Sequence, residues 1–276
     1  TALHSALRDI GRGETPASAI FDALDDARWQ GFPASAVHLR YIENHDETRY
    51  LADCGEAALR AAAAATFTLP GAPMLYYGQE RGMTADRGPM KWYDGDAELT
   101  DFHRSLSQLR QTESVLTTGD VEPCSVGVVT TTTELATTAS SGVEPTASDS
   151  VEPAADDDSD ATAGGDTTAT ANNEGAATNN TTDAETDKPA AAAATPIIET
   201  VDDPYHVVAF WRSDGDDRLL VVLNFSTERQ TVALPTAVGD TELRTDAPLR
   251  KRHHPDGEDG PGDYVVVDSV VVCRPV

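Results

Sequence analysis

Val-His-Leu-Arg-Tyr-Ile-Glu-Asn-His-Asp-Glu-Thr-Arg, residues 37–49, changes character halfway along. Val37 to Ile42 is short and rich in β-formers, and the chain then turns into the polar cluster Glu43-Asn44-His45-Asp46. A strand ending in ionisable side chains is the prediction. Asp53, with Glu56 three positions on, resembles a capping box for a helix that runs through the alanines and stops before Pro70-Gly71. A second strand over Met74 to Tyr77 ends at Gly78-Gln79-Glu80, and Leu99, Phe102, Leu106 and Leu109 mark another amphipathic helix. Upstream, Leu3, Leu7 and Ile10 share a helical face, and Thr15-Pro16 reads as an N-cap and first helical residue for a helix carrying Ile20, Leu24 and Ala27. Strand, helix, strand, helix, with polar clusters at the carboxyl end of each strand, is the grammar of a parallel α/β fold whose sites collect on that face.

Further along the grammar changes to strands alone: His206 to Trp211, Arg218 to Phe225, Arg229 to Leu234 and Tyr264 to Val272. Asp214-Gly215 is a hairpin signal between the first two. An antiparallel β domain follows, and a short strand near Ser125 to Thr130 joins it. Between them, residues 131–196 contain 17 Ala and 15 Thr but no aromatic residue, and 13 acids against the single Lys188. Such a stretch lacks the apolar side chains needed to offset the entropy of ordering its backbone, so it is expected to be disordered. The division read from sequence is 1–117 for the α/β part, 118–130 with 197–276 for the β domain, and 131–196 for an acidic insertion.

A formal charge of -27 sets the partners aside that need a cationic surface: nucleic acid and anionic membrane. Arginine outnumbers lysine 17 to three, and the acids are spread through every segment, which reads as halophilic. In molar salt the Debye length is about 3 Å, so the self-repulsion of such a surface is screened. Three scattered cysteines, Cys54, Cys124 and Cys273, support neither a disulfide framework nor a zinc site. Ala57 to Leu69 is too short to cross a bilayer, which needs about 20 residues. The chain begins with Thr and no leader follows, which reads as a mature or truncated product of undetermined address, cytoplasmic or secreted.

Residues 41–49 resemble the end of the seventh barrel strand of the α-amylase family (glycoside hydrolase family 13), where Asn-His-Asp and a following Arg recur. Gly-Ala-Pro-Met-Leu-Tyr-Tyr-Gly-Gln-Glu, 71–80, is similar to that family's eighth strand. Arg87 to Trp92 resembles the next loop, Leu106 to Arg110 the last helix, and Val208 to Ser226 the start of the small β domain. The resemblance implies the last quarter of a (β/α)8 barrel followed by an antiparallel β-sandwich. It implies a retaining glycoside hydrolase acting on α-glucosidic bonds of starch-like or malto-oligosaccharide substrates. Its nucleophile and acid/base, carried on the family's fourth and fifth strands, would lie outside this chain, which taken alone would be an incomplete and inactive enzyme.

By the same resemblance Asp46 is the catalytic candidate, a transition-state stabiliser gripping the 2- and 3-hydroxyls of a sugar, with His45 and Asn44 as substrate-binding residues. A carboxylate and an imidazole on one strand end suit adjacent hydroxyls, each of which donates and accepts. Bonds to the 2-hydroxyl that strengthen in the transition state raise rate as well as affinity. The plainer alternative is a strand end with Asp46 and Arg49 paired as a surface bridge. Arg49 reads as a structural partner that holds a buried carboxylate. Tyr76, Tyr77, Met90 and Trp92 read as packing, and Glu80 as support for the barrel mouth. His253-His254 reads as an exposed loop, so no metal ligand is assigned. No cofactor is identified, although the resemblance allows calcium. A family transglycosylase or trehalose-forming enzyme shares these motifs. A non-catalytic carbohydrate-binding or surface protein is the other alternative, with Asn179, Asn180 and Asn224 heading glycosylation triplets.

Overall fold

A computed structural model of the chain describes residues 2–33, 35–132, 197–202, 204–238 and 264–276. The expectations for the acidic stretch beyond Thr132, for Asn179 and Asn180, and for His253-His254 lie outside the described residues. Helix α1 (Ala2–Gly11) buries Leu3, Leu7 and Ile10 on one face, as their spacing predicts. Helix α2 (Ala19–Trp29) starts later than Pro16. Residues 16–18 instead form a lead-in turn, with the Ala19 amide bonding the Pro16 carbonyl at 3.0 Å, and the Thr15 hydroxyl caps nothing.

The parallel strands are shorter than predicted. Strands β1 (Leu39–Arg40) and β2 (Ala72–Pro73) pair only as Leu39 with Ala72 and Arg40 with Pro73, and β2 precedes the Met74 to Tyr77 run. Ladder hydrogen bonds, not propensity, fix strand length, and this ladder rests on the Ala72 amide to the His38 carbonyl at 2.9 Å and the Met74 amide to the Arg40 carbonyl at 2.8 Å. The predicted capping box at Asp53 is absent. Asp53 lies inside a short helix α3 (Tyr50–Cys54), and its carboxylate is taken by Arg8 at 2.5 Å and Arg12 at 2.7 Å. Gly55, at φ +83, turns the chain into α4 (Glu56–Thr68). Ala61 to Thr68 are all buried, so α4 is a central helix whose small side chains let neighbours approach on every side. Helix α5 (Ala97–Thr112) is capped by Asp96, which accepts the Leu99 amide at 2.8 Å, and a short α6 (Val115–Thr118) follows.

The β part has two four-stranded antiparallel sheets. Its strands are β3 (Asp120–Cys124), β4 (Gly127–Thr132), β5 (Ile197–Asp202), β6 (Val207–Asp214), β7 (Asp217–Asn224), β8 (Gln230–Ala233), β9 (Tyr264–Val267) and β10 (Val270–Cys273). The orders are β10-β7-β6-β3 and β5-β4-β8-β9. Strand β4 runs two residues into the span read as insertion, pairing Thr132 with Ile197. Gly215, at φ +62, sits in the two-residue turn between β6 and β7, where the hairpin was predicted. The apolar run Tyr264 to Val272 is not one strand: it breaks at Asp268-Ser269 and serves both sheets.

Asn224 holds that break, its amide donating to the carbonyls of Glu228 at 2.8 Å, Val267 at 3.2 Å and Asp268 at 2.8 Å. It is wholly buried, which corrects the reading of Asn224 as a glycosylation acceptor. The first sheet is a middle layer with both faces covered. Val208, Phe210, Leu219, Val221 and Leu223 share a core with the helices, while Val207, Ala209, Leu220 and Val222 share one with the second sheet. Period-two alternation therefore separates two apolar cores rather than core from water. At one edge of this sheet, β3 carries Pro123 opposite Phe210.

Arg212 of β6 is completely buried and, among the described residues, bonds only carbonyls: Thr68 at the end of α4, Leu116 at 3.0 Å, Gly119 at 2.6 Å and Asp120 at 3.3 Å. Burial, reinforced by nearby Arg110, lowers its pKa to about 10, which still leaves it charged at neutral pH. It closes helix ends whose last carbonyls have no helical partner, where a cation is also favoured by the dipole. Replacing it with Met would orphan these carbonyls. Arg212→Met should lose roughly 3 kcal/mol or more in denaturant unfolding of the intact protein.

Candidate functional site

The loops that leave the carboxyl ends of β1 and β2 meet on Arg49. Its guanidinium is fully buried, and Nη1 donates to Glu43 Oε1 at 2.7 Å and to the Tyr77 carbonyl at 2.9 Å, while Nε donates to the Ala85 carbonyl at 2.9 Å. The Arg49 amide reaches Asp86 Oδ1 at 3.2 Å. Tyr76 and Tyr77 stand over the guanidinium, 4.4 and 4.9 Å from its central carbon to their ring centroids. The other oxygen of Glu43 accepts the Tyr50 amide at 2.7 Å, so one carboxylate fastens the loop's first turn to the start of α3. Burial pushes the Glu43 carboxyl up, more than these hydrogen bonds and Arg49 draw it down.

The predicted site residues stand on this base. Asn44 Oδ1 accepts the Asp46 amide at 2.8 Å, an Asx-type turn that shapes the loop tip. His45 Nε2 lies 3.1 Å from Asp46 Oδ2. Arg87, from the other loop, donates to the His45 carbonyl at 3.2 and 2.9 Å and lies 3.7 Å from Asp46 Oδ1. The three sequence-predicted residues are thus together. Asp46 is 70% exposed, at the rim of an open depression of about 450 Å³ lined by His45, Asp46, Glu47, Thr48, Asp86 and Arg87. An ionised carboxylate between an imidazole and a guanidinium can accept from two neighbouring hydroxyls while its partners donate to a third.

Several readings are sharpened here. The carboxylate that Arg49 holds is Glu43, and the alternative bridge between Arg49 and Asp46 does not form. Glu43 belongs to the polar cluster at the strand end but has no role readable there, and Asp86 carries no motif; the burial of Arg49 is what identifies their parts. Trp92, read as packing, is 72% exposed. Gln79 is buried and its amide nitrogen meets His103 Nε2 at 3.1 Å. Among the described residues no group of three or more His, Cys, Asp or Glu could hold a metal ion, and no helix is long and apolar enough to cross a membrane.

Residues 20–152 match the α-amylase catalytic domain family, and residues 207–248 match the carboxyl-terminal domain of the α-amylase SusG. The chain is 44% identical over 113 residues to the α-amylase MalA of Haloarcula japonica, covering 41% of this chain and 17% of that protein. It is 33% identical over 128 residues to neopullulanase 2 of Thermoactinomyces vulgaris, covering 42% and 22%. Among solved structures, the α-amylase of Geobacillus thermoleovorans in complex with acarbose matches with TM-score 0.57 at 15% identity, over 98% of this chain and 46% of that one. The α-amylase of H. orenii matches with TM-score 0.55 at 18% identity, over 99% and 48%. These structural likenesses carry the fold: a TIM barrel with a carboxyl-terminal β domain. The chain spans less than half the length of these relatives.

Arg49→Met would leave Glu43 buried with half its partners gone. A loss of roughly 3–5 kcal/mol is expected in denaturant unfolding of the intact protein, whereas Asp46→Asn, at an exposed rim, should leave the unfolding midpoint unchanged.

Proposed function

The chain is of the α-amylase family, and on that premise we propose that it supplies the sugar-gripping end of a retaining glycoside hydrolase acting on α-glucosidic bonds of starch-like glucans or malto-oligosaccharides. In this reading residues 1–117 are the last two strand-helix units of a (β/α)8 barrel. Residues 118–130 and 197–276 are a β-sandwich behind it, and the acidic stretch is an insertion between β4 and β5. The nucleophile and the general acid reside in polypeptide outside this chain. The observation that carries the proposal is the Asn44-His45-Asp46 tip at the carboxyl end of a parallel strand, inside the span matched to the catalytic domain.

Asp46 binds two ring hydroxyls and holds them more strongly as the ring flattens toward the oxocarbenium-like transition state. His45 and Asn44 bind the substrate beside it, and Asn44 also orients the tip through the Asp46 amide. Calcium, which the family resemblance allows, is not assigned to any residue of this chain. Asp46→Asn keeps the shape and loses the charge. In the intact protein it should lower kcat on maltoheptaose on the order of a hundredfold or more while the fold is retained, and near-normal turnover would remove Asp46 from the site. Chromatography of the products separates hydrolysis from transfer, because hydrolysis releases new reducing ends without lengthened oligosaccharides.

The β4–β5 pairing brings Thr132 opposite Ile197, so the ends of the acidic stretch are neighbours across a ladder. Replacing the residues between them with a two-residue Asn-Gly turn should leave activity in molar salt within about twofold, since closing a shorter loop costs less entropy. Loss of activity in that deletion would show that the acidic stretch takes part in the site.

A further inference from the structure

Arg8 sits on α1, more than thirty residues before the loop it touches, and its side chain is nearly buried. Nη2 donates to the Ile42 carbonyl at 3.3 Å and to the Thr48 carbonyl at 2.9 Å, the two ends of the loop that carries Asn44, His45 and Asp46. Nη1 is held by Asp53 at 2.5 Å, and the guanidinium lies 5.6 Å from the Tyr50 ring centroid. One planar fork therefore closes the loop into a ring from behind, while Asp53 stops the fork from rotating. Arg12 shares Asp53 at 2.7 Å but makes no bond to the loop.

We infer that Arg8 is a positioning residue for the sugar-gripping carboxylate: by fastening both ends of loop 42–48 it sets the height of Asp46 over the substrate. This rests on the reading of Asp46 given above. Among the described residues only Arg49, at the loop floor, and Arg87, at its exposed tip, also reach across to fix this loop through guanidinium bonds. Glu43 also spans this neck, to Arg49 and to the Tyr50 amide, but among the described residues Arg8 alone bonds the carbonyls of both Ile42 and Thr48, so its loss loosens the back of the loop without removing any group that meets the substrate. A lysine there keeps the charge and the Asp53 contact but cannot bond two carbonyls and a carboxylate in one plane. A shift of about 1 Å in a positioned group can cost on the order of a hundredfold in rate.

The test is a double-mutant cycle in the intact protein, with kcat and KM on maltoheptaose and unfolding midpoints measured for Arg8→Lys, Asp46→Asn, both together, and Arg12→Gln. Arg8→Lys should lower kcat by about tenfold to a hundredfold with KM within about twofold. In the Asp46→Asn background the same substitution should cost less than about twofold, because there is no longer a carboxylate to place. Arg12→Gln should leave kcat unchanged. Normal kcat in Arg8→Lys overturns the inference, as does an equal loss with and without the Asp46 carboxylate, or a loss matched by Arg12→Gln at equal unfolding midpoint. Full activity in Asp46→Asn overturns the reading of Asp46 itself, and the inference falls with it.

Discussion

A guanidinium with no access to water needs acceptors, and around Arg49 that requirement organises two loops at once through Nε and Nη1, while Nη2 is buried without a hydrogen-bond partner among the described residues. Glu43, the carbonyls of Tyr77 and Ala85, and two tyrosine rings are all brought to one point. Desolvating such a pair costs several kcal/mol, so it is weak evidence for net stability. What it fixes is arrangement. With Glu43 committed on both oxygens, the next three residues have one way to turn, and Asn44, His45 and Asp46 rise from a rigid floor into water. The exposed part of the site is thus three residues deep, and the loop floor beneath it is held by the charge-assisted bonds of Glu43 and Arg49.

The same economy of acceptors joins the α/β part to the β part. Arg212 reaches from the middle sheet to the ends of α4 and α6, and its partners are backbone oxygens rather than acids. Arg110 does likewise at the turn after α4, bonding the carbonyls of Phe67 at 2.6 Å and Gly71 at 2.6 Å. In a chain with so few cations, several are spent inside on structure. The negative surface is therefore more one-sided than the net charge alone conveys.

Much of this architecture is legible in the sequence because it is local. The faces of α1 and α5, the Asp214-Gly215 turn and the strand-end position of Asn44-His45-Asp46 follow from spacing and residue type. What is illegible depends on distant partners. Asp53 and Glu56 have the spacing of a cap, but Arg8 on α1 and Arg12 just past its end compete for Asp53 and win. Asn224 has the spacing of a glycosylation triplet, yet two carbonyls at the β9–β10 corner and that of Glu228 before β8 claim its amide. Arg8 shows no motif at all. Its importance lies in carbonyls of residues 34 and 40 positions away, and a carbonyl is present at every residue.

Pro123 lies in a border strand of the middle sheet, where it withholds one amide from any newcomer. In dilute buffer mutual repulsion keeps such acidic molecules apart, but brine abolishes that repulsion beyond a few ångströms. A protein adapted to brine must then resist strand-to-strand stacking by shape and chemistry instead. A ring that cannot donate, placed on an outer strand, remains effective at any ionic strength.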